Sequence, residues 1–256
     1  MVMKAQLKKL FEGSQLFIPA RSLYRSLFQR RQSVEYSRMR SFYSQFFASS
    51  DLVFDVGANQ GVYAELFVSN GARVIAIEPN PAFRSRLQNL AKIRPIIPEF
   101  CAVGDHEGSA TLNVCSQPGF STLQTEMIEW AKDSPDYRGV QWTSKVNVPV
   151  FTLDSLAERH GLPTFVKIDV EGFEYEVISG MSFNPRFVSF EFGARHKRTA
   201  LRCINDLGKR GYLFNPIIGR VFAFESAHWL SAQDATDWLT AYSVDRGEYG
   251  DMFARL

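Results

Sequence analysis

The sequence predicts an α/β fold: a doubly wound, Rossmann-like sandwich built on a mostly parallel sheet. Three observations carry this. Short apolar runs alternate with helix-period segments from Asp51 onward. The first run, LVFDV, ends in the glycine turn DVGANQG and feeds a helical stretch, VYAELFVSN. A second run, RVIAIE, is followed by a proline that opens another helix. Alternating strands and helices imply crossovers of one hand and helices on both faces.

Taken in order, residues 1–48 read as a basic helical arm and residues 49–256 as one domain. In the arm, Leu23, Tyr24, Leu27 and Phe28 fall at helical spacing. Tyr36, Met39, Phe42, Tyr43, Phe46 and Phe47 continue the stripe, and these aromatics are expected to pack on the domain. LVFDV is a buried strand, and VYAELFVSN is a helix stopped at Asn70-Gly71. RVIAIE is the second strand, and Pro81 opens AFRSRLQNLAKI. IIPEFCAV reads as a third strand and ATLNV as a further, antiparallel one. Residues 115–145 are polar and read as a long loop or lid, in which Gly119-Phe120-Ser121-Thr122 suits movement. Phe120 and Trp142 offer aromatic faces on which a ring could stack, and the alternative is a plain surface loop. VNVPVF is a strand, and Thr152-Leu153-Asp154-Ser155 starts a short helix. FVKIDV is a buried strand, EYEVISGM a helix, FVSFEF a strand and KRTALRCINDLGKRG a helix. YLFNPI and RVFAFE are expected to form the last hairpin, and SAQDATDWLTAYS a closing helix.

Composition excludes several classes. Apolar residues make up 45% and charged residues 22% of 256, as in an ordinary globular protein. Cys101, Cys115 and Cys203 are widely spaced, which argues against a disulfide framework and for a reducing, cytoplasmic setting. No apolar run approaches the length of a membrane span, and the start lacks the apolar stretch of a cleaved signal. Net charge is +2, yet residues 1–40 hold nine Lys/Arg against two acids, so +7, leaving −5 for the rest. Such an arm is a solvated helix face or a contact with a membrane surface. No zinc module or aromatic RNA signature accompanies it, so nucleic acid is not expected as a partner.

The chemistry starts at Asp55-Val56-Gly57-Ala58-Asn59-Gln60-Gly61. A glycine turn between strand and helix offers backbone N–H groups and a positive helix end. A dinucleotide turn runs G-x-G-x-x-G, and here Asn59 stands where its middle glycine would be. Asp55, expected at the mouth of the turn, suits an ammonium and repels a diphosphate. That favours S-adenosyl-L-methionine over NAD. Glu78, ending the second strand in IEPN, has the chemistry to accept both hydroxyls of a ribose. In FVKIDVEGFE, the charges Lys167, Asp169 and Glu171 alternate at a strand end. An extended segment would project them to one side, where burial without partners would be costly.

These segments, with AVGDHEG, VPVFTLDSL and KIDVEGFEYEVISGM in this order, resemble the FkbM family of S-adenosylmethionine-dependent methyltransferases over about residues 40–230. The resemblance implies a class I methyltransferase fold, with seven strands and a terminal antiparallel hairpin. It implies O-methylation of a hydroxyl on a sugar, glycan, glycolipid or natural product. Asp55, Gly57, Ala58, Asn59 and Gly61 would bound the methionine end of the cofactor. Glu78 would hold the ribose, with Pro79 and Asn80 shaping the wall. Ala102 and Val103 would lie near the adenine, and Asp169 would face the sulfonium.

Candidate catalytic groups are Lys167, Asp169, Glu171, Glu191 and His196. Glu191 interrupts FVSFEF and is either directed into the cleft or paired with Arg195 or Lys197. His196 belongs either to the site or to the surface beside those cations. No metal ligand is assigned, although Asp169, Glu171 and Glu191 have the oxygen chemistry for one divalent ion. No His-x-x-x-His or Cys cluster points to zinc. The rival readings are a noncatalytic cofactor- or partner-binding module and an NAD-dependent sugar oxidoreductase.

Overall fold

A computed structural model of the chain describes residues 34–117, 119, 121–132, 139–193, 196–242 and 249–256. Leu23, Tyr24, Leu27 and Phe28 of the arm, Phe120 and Arg195 therefore lie outside the described residues. The chain separates into two units, Met1–Ser41 and Phe42–Leu256. Residues 34–43 are helical.

The larger unit is built on seven strands in the order β3-β2-β1-β7-β8-β10-β9. They are β1 Leu52–Val56, β2 Arg73–Ile77, β3 Ile96–Glu99, β7 Phe165–Ile168, β8 Phe187–Gly193, β9 Leu213–Ile218 and β10 Tyr249–Arg255. β1, β2, β3, β7 and β8 pair in parallel, and β10 lies antiparallel between β8 and β9. The terminal antiparallel pair is thus present, but its second strand is Tyr249–Arg255 and not RVFAFE. Residues 220–225 are irregular, and their Phe222 and Phe224 pack against Phe42. Aromatic burial overrides the strand-like alternation there.

Three strands leave the main sheet: β4 Ala102–Val103, β5 Gly108–Cys115 and β6 Trp142–Phe151 form a second sheet, ordered β4-β6-β5. IIPEFCAV is therefore two strands in two sheets, and VNVPVF belongs to the second. The expected loop 115–145 includes a helix, Thr125–Lys132. Trp142 packs with Ala131 and Val140, so it is not a free stacking platform.

Strand alternation separates two faces. Phe54, Val56, Val166, Ile168, Val188 and Phe190 point into the main core. The opposite face starts apolar and becomes polar. Phe165 and Phe253 stack with Phe46, whose ring lies 4.7 Å from that of Phe253. Phe42, Tyr43, Phe46 and Phe47 are buried in this aromatic layer, as expected, but the helix ends at Tyr43, so Phe46 and Phe47 do not continue its stripe, and Tyr36 is exposed. One step along the strands, Asp55, Lys167 and Ser189 stand in register across β1, β7 and β8. One step further, Glu191 of β8 faces Asp251 of β10.

Candidate functional site

Strand order reverses between β1 and β7, the place where open α/β sheets leave a crevice at the carboxyl ends. The turns after both strands meet there. Gly57 has φ 83°, and a Cβ on it would lie 1.8 Å from the carbonyl oxygen of Asp169. Only glycine permits this crossing. Asn59 also adopts a left-handed conformation, φ 51°, which asparagine tolerates better than most side chains. That explains how the turn manages without the middle glycine of a dinucleotide site.

The amides of this turn are committed internally. Gly57 and Ala58 donate to the carbonyl of Ile77 at 2.9 and 3.0 Å, and Gly61 donates to Ala58 at 2.7 Å. Asn59 N–H donates to Glu78 Oε2 at 2.8 Å, and Asn80 N–H to Oε1 at 2.7 Å. The free backbone N–H groups expected of a glycine turn are therefore absent at these four positions. Glu78 instead ties the first turn to the second. Burial pushes its carboxyl up to about 7, against the pull of those two amides. Asn80 caps the following turn, Pro79 connects the two, and Asn80 Nδ2 reaches Ser121 Oγ at 3.0 Å. Ala102 and Val103 are buried in β4, shortly beyond the Glu99 carbonyl that accepts from Glu78 N–H.

Asp55 is fully covered, not at the mouth of the turn. Its carboxylate makes no hydrogen bond of good geometry. Burial raises it to about 6, with Lys167 opposing and Asp169 adding. Its contribution is charge directed at Lys167. That lysine is 1% exposed, donates to Asp169 Oδ2 at 2.9 Å and sits 4.2 Å from the ring centre of Tyr63. Burial alone would lower its pKa, but Asp169, Tyr63, Asp55 and Asp251 together hold it well above the usual range. Asp251, raised by burial to about 6, joins from the last strand and has no counterpart in the sequence reading.

β7 ends at Ile168, so Lys167, Asp169 and Glu171 do not share one extended strand. Lys167 and Asp169 meet directly, whereas Glu171 is carried by a tight turn with φ 54°, followed by Gly172 at φ 105°. Glu174 braces that turn: its Oε1 accepts from Gly172 N–H at 3.0 Å and from Val170 N–H at 3.3 Å. The turn brings Glu171 to Glu191 and His196, and one ligand atom of each lies within 4.8 Å of the others. His196 is 4% exposed, so it is not a surface residue. Its ring occupies the space that a side chain at Gly172 would fill. Lys197, the suggested partner of Glu191, donates to the carbonyls of Thr240 and Tyr242 instead. Burial first, then Asp169 and Glu174, raises Glu171 well above the carboxylate range. Burial followed by Asp169, Glu171, Glu174 and Asp251 does the same to Glu191.

A strap from the β5–β6 hairpin crosses both turns. Thr122 Oγ donates to the Glu171 carbonyl at 3.1 Å, and the Gln124 side chain donates to the Gly172 carbonyl. Ser121 holds Asn80 on the other side. The lid-like segment foreseen around Gly119–Thr122 is thus anchored at described residues on both turns.

The sequence matches the methyltransferase FkbM domain over residues 55–228. A curated relative, the hexuronic acid methyltransferase AglP of Haloferax volcanii, is 28% identical over 146 residues. The match covers 55% of this chain and 54% of that protein, so the chain spans about half its length. Among solved structures, the precorrin-6y C5,15-methyltransferase of Geobacter metallireducens superposes with a TM-score of 0.40 at 15% identity, over 85% of this chain and 86% of that one. Sp1610 of Streptococcus pneumoniae, a putative tRNA (m1A22) methyltransferase in complex with S-adenosyl-L-methionine, gives 0.41 at 11%, over 85% and 71%.

Proposed function

We propose a function from one premise: the chain belongs to the FkbM methyltransferase domain family and is a methyltransferase whose donor is S-adenosyl-L-methionine. Our reading is that it methylates a hydroxyl oxygen on a sugar or a sugar-like acceptor. The observation that carries it is the convergence of Glu171, Glu191 and His196 beside the turn that follows β7.

The residues fit the donor. A phosphate-bearing cofactor needs free amides at the glycine turn, and those of Gly57, Ala58, Asn59 and Gly61 are already bonded. A phosphate-free cofactor needs none there. Each oxygen of Glu78 accepts one backbone amide and keeps a further lone pair for a ribose hydroxyl. Gly57, Ala58, Asn59 and Gly61 would hold the methionine end, and Pro79, Asn80, Ala102 and Val103 the nucleoside end. When bound, the donor supplies an electrophilic methyl group. Lys167 donates to Asp169 Oδ2 and holds that carboxylate at the end of β7, where it would face the donor.

A hydroxyl acceptor needs positioning and loss of its proton. Glu171, Glu191 and His196 are the groups that would hold that hydroxyl beside the donor, and burial raises both carboxyls. The relative's name adds a hint of sugar chemistry, since AglP is a hexuronic acid methyltransferase.

The test is incubation with methyl-labelled S-adenosyl-L-methionine and a panel of uronic acids, neutral sugars and glycolipids, read by mass spectrometry and NMR. A methyl ether on a sugar oxygen is expected. Methyl transfer only to nitrogen or carbon overturns the acceptor class. Tight cofactor binding with no S-adenosylhomocysteine from any acceptor favours a noncatalytic module.

A further inference from the structure

We propose that Glu171, Glu191 and His196 form a seat for one divalent transition-metal ion on the acceptor side of the cofactor site. The inference rests on the methyltransferase reading above for its role, but not for its existence. Two carboxylate oxygens and one imidazole nitrogen come together from a turn, a strand end and a helix start that are separate in sequence. Donor atoms around a tetrahedral ion with bonds of about 2.1 Å lie about 3.4 Å apart. Atoms already within 4.8 Å of one another each need only sub-ångström adjustment.

Two further observations point to a cation. Glu174 is fully buried, and its Oε2 has no hydrogen-bond partner, although its other oxygen is well satisfied. Glu191 Oε2 is likewise buried without a hydrogen bond. Buried carboxylate oxygens are normally paired or on a metal. The positive group acting on Glu171, Asp55 and Asp251 is Lys167, which is already bonded to Asp169. The acids Asp169, Glu171, Glu174 and Asp251 all act on Glu191, and among the described residues the nitrogen ligand beside it is His196. A mixed oxygen–nitrogen set suits manganese, iron, cobalt or zinc better than calcium or magnesium. Three protein ligands leave positions open for an acceptor oxygen, which such an ion would hold in its anionic form while the proton leaves to water.

The probe is Mn²⁺ added to the full chain after chelator treatment, followed by electron paramagnetic resonance and calorimetry. One equivalent is expected to bind. Glu191→Gln and His196→Gln should each weaken it at least about tenfold, a loss that even an outer partner of a metal ligand can cause. His160→Gln, at a separate Glu99 pair, should not. Equal binding in the variants, or none to the wild type, overturns the site. Should the variants fail to fold, the wild type decides: Mn²⁺ at this seat broadens the methyl resonance of bound ¹³C-methyl S-adenosyl-L-methionine, and a sharp resonance overturns it. Binding that the variants abolish upholds the site even if no sugar is methylated, and then it is the acceptor reading that fails.

Discussion

Replacing Glu78 by Gln separates a cofactor ligand from a structural strut. In the free protein the carboxyl sits at about 7 instead of 4.5. At 1.36 kcal/mol per pKa unit, its ionised form is about 3 kcal/mol costlier when folded than in the open chain. Because the folded value is raised, this group's contribution to stability is complete below about pH 4.5 and is lost as pH rises through about 7. Glutamine removes the buried charge. It also sets an NH₂ against one of the two amides that Glu78 now accepts, losing a charge-assisted bond of about 1.5–3 kcal/mol. The two effects largely cancel, so thermal stability at pH 8 should change by no more than about 1.5 kcal/mol. Cofactor binding has no such compensation. Loss of the anionic acceptor for ribose hydroxyls should weaken S-adenosyl-L-methionine by about 10- to 150-fold. In the wild type, affinity should fall by about tenfold from pH 8 to pH 6, because one unit below the pKa leaves about a tenth of the carboxyl ionised. The variant should show no such slope. Calorimetry at both pH values with parallel melts is the assay. Unchanged affinity combined with a clear drop in stability would refute the ribose role and leave Glu78 a strut.

Other substitutions test other parts of the site. Gly57→Ala must push the first turn off the Asp169 carbonyl. It should lose at least about 3 kcal/mol or abolish cofactor binding, as read by melts and calorimetry. Lys167→Met strands Asp169, Asp55 and Asp251 without their shared cation, with an expected loss of about 3–5 kcal/mol in urea titration. Asp169→Asn, which keeps shape and removes charge, should lower turnover per folded molecule at least tenfold, about 1.4 kcal/mol or more in the barrier, and should also lower the melting temperature, because the buried Lys167 loses the carboxylate it is bonded to. Phe46→Ala empties a stacked position between Phe165 and Phe253 and should cost about 3–5 kcal/mol while leaving cofactor affinity per folded molecule intact.

Much of the framework of the proposed donor half was legible in the sequence because its strands and turns are local. DVGANQG and IEPN each carry their glycines and acids within a few residues, and β1, β2, β7 and β8 are plain apolar runs. The acceptor half was less legible, because its neighbours are made by the fold. His196 sits between Arg195 and Lys197 and reads as surface; its burial comes from the missing side chain of Gly172. Asp251 lies on a short final strand whose pairing with β8 no periodicity announces. Glu174 reads as an ordinary helix start, yet it braces a left-handed turn that only the three-dimensional path reveals. Alternation along FVKIDVE failed for the same reason: it assumed extended backbone past Ile168, where the chain turns.

The division into two sheets has a consequence for how such a protein can change. The turns after β2 and β7 hang on the seven-stranded sheet, while the strap belongs to the β5–β6 hairpin of the other sheet. That hairpin is stitched to those turns through its tip by side-chain bonds at Ser121, Thr122 and Gln124. Lengthening or recolouring the hairpin therefore leaves the register of the main sheet untouched. Exchange of that tip, with Ser121, Thr122 and Gln124 kept, is thus a change confined to one sheet.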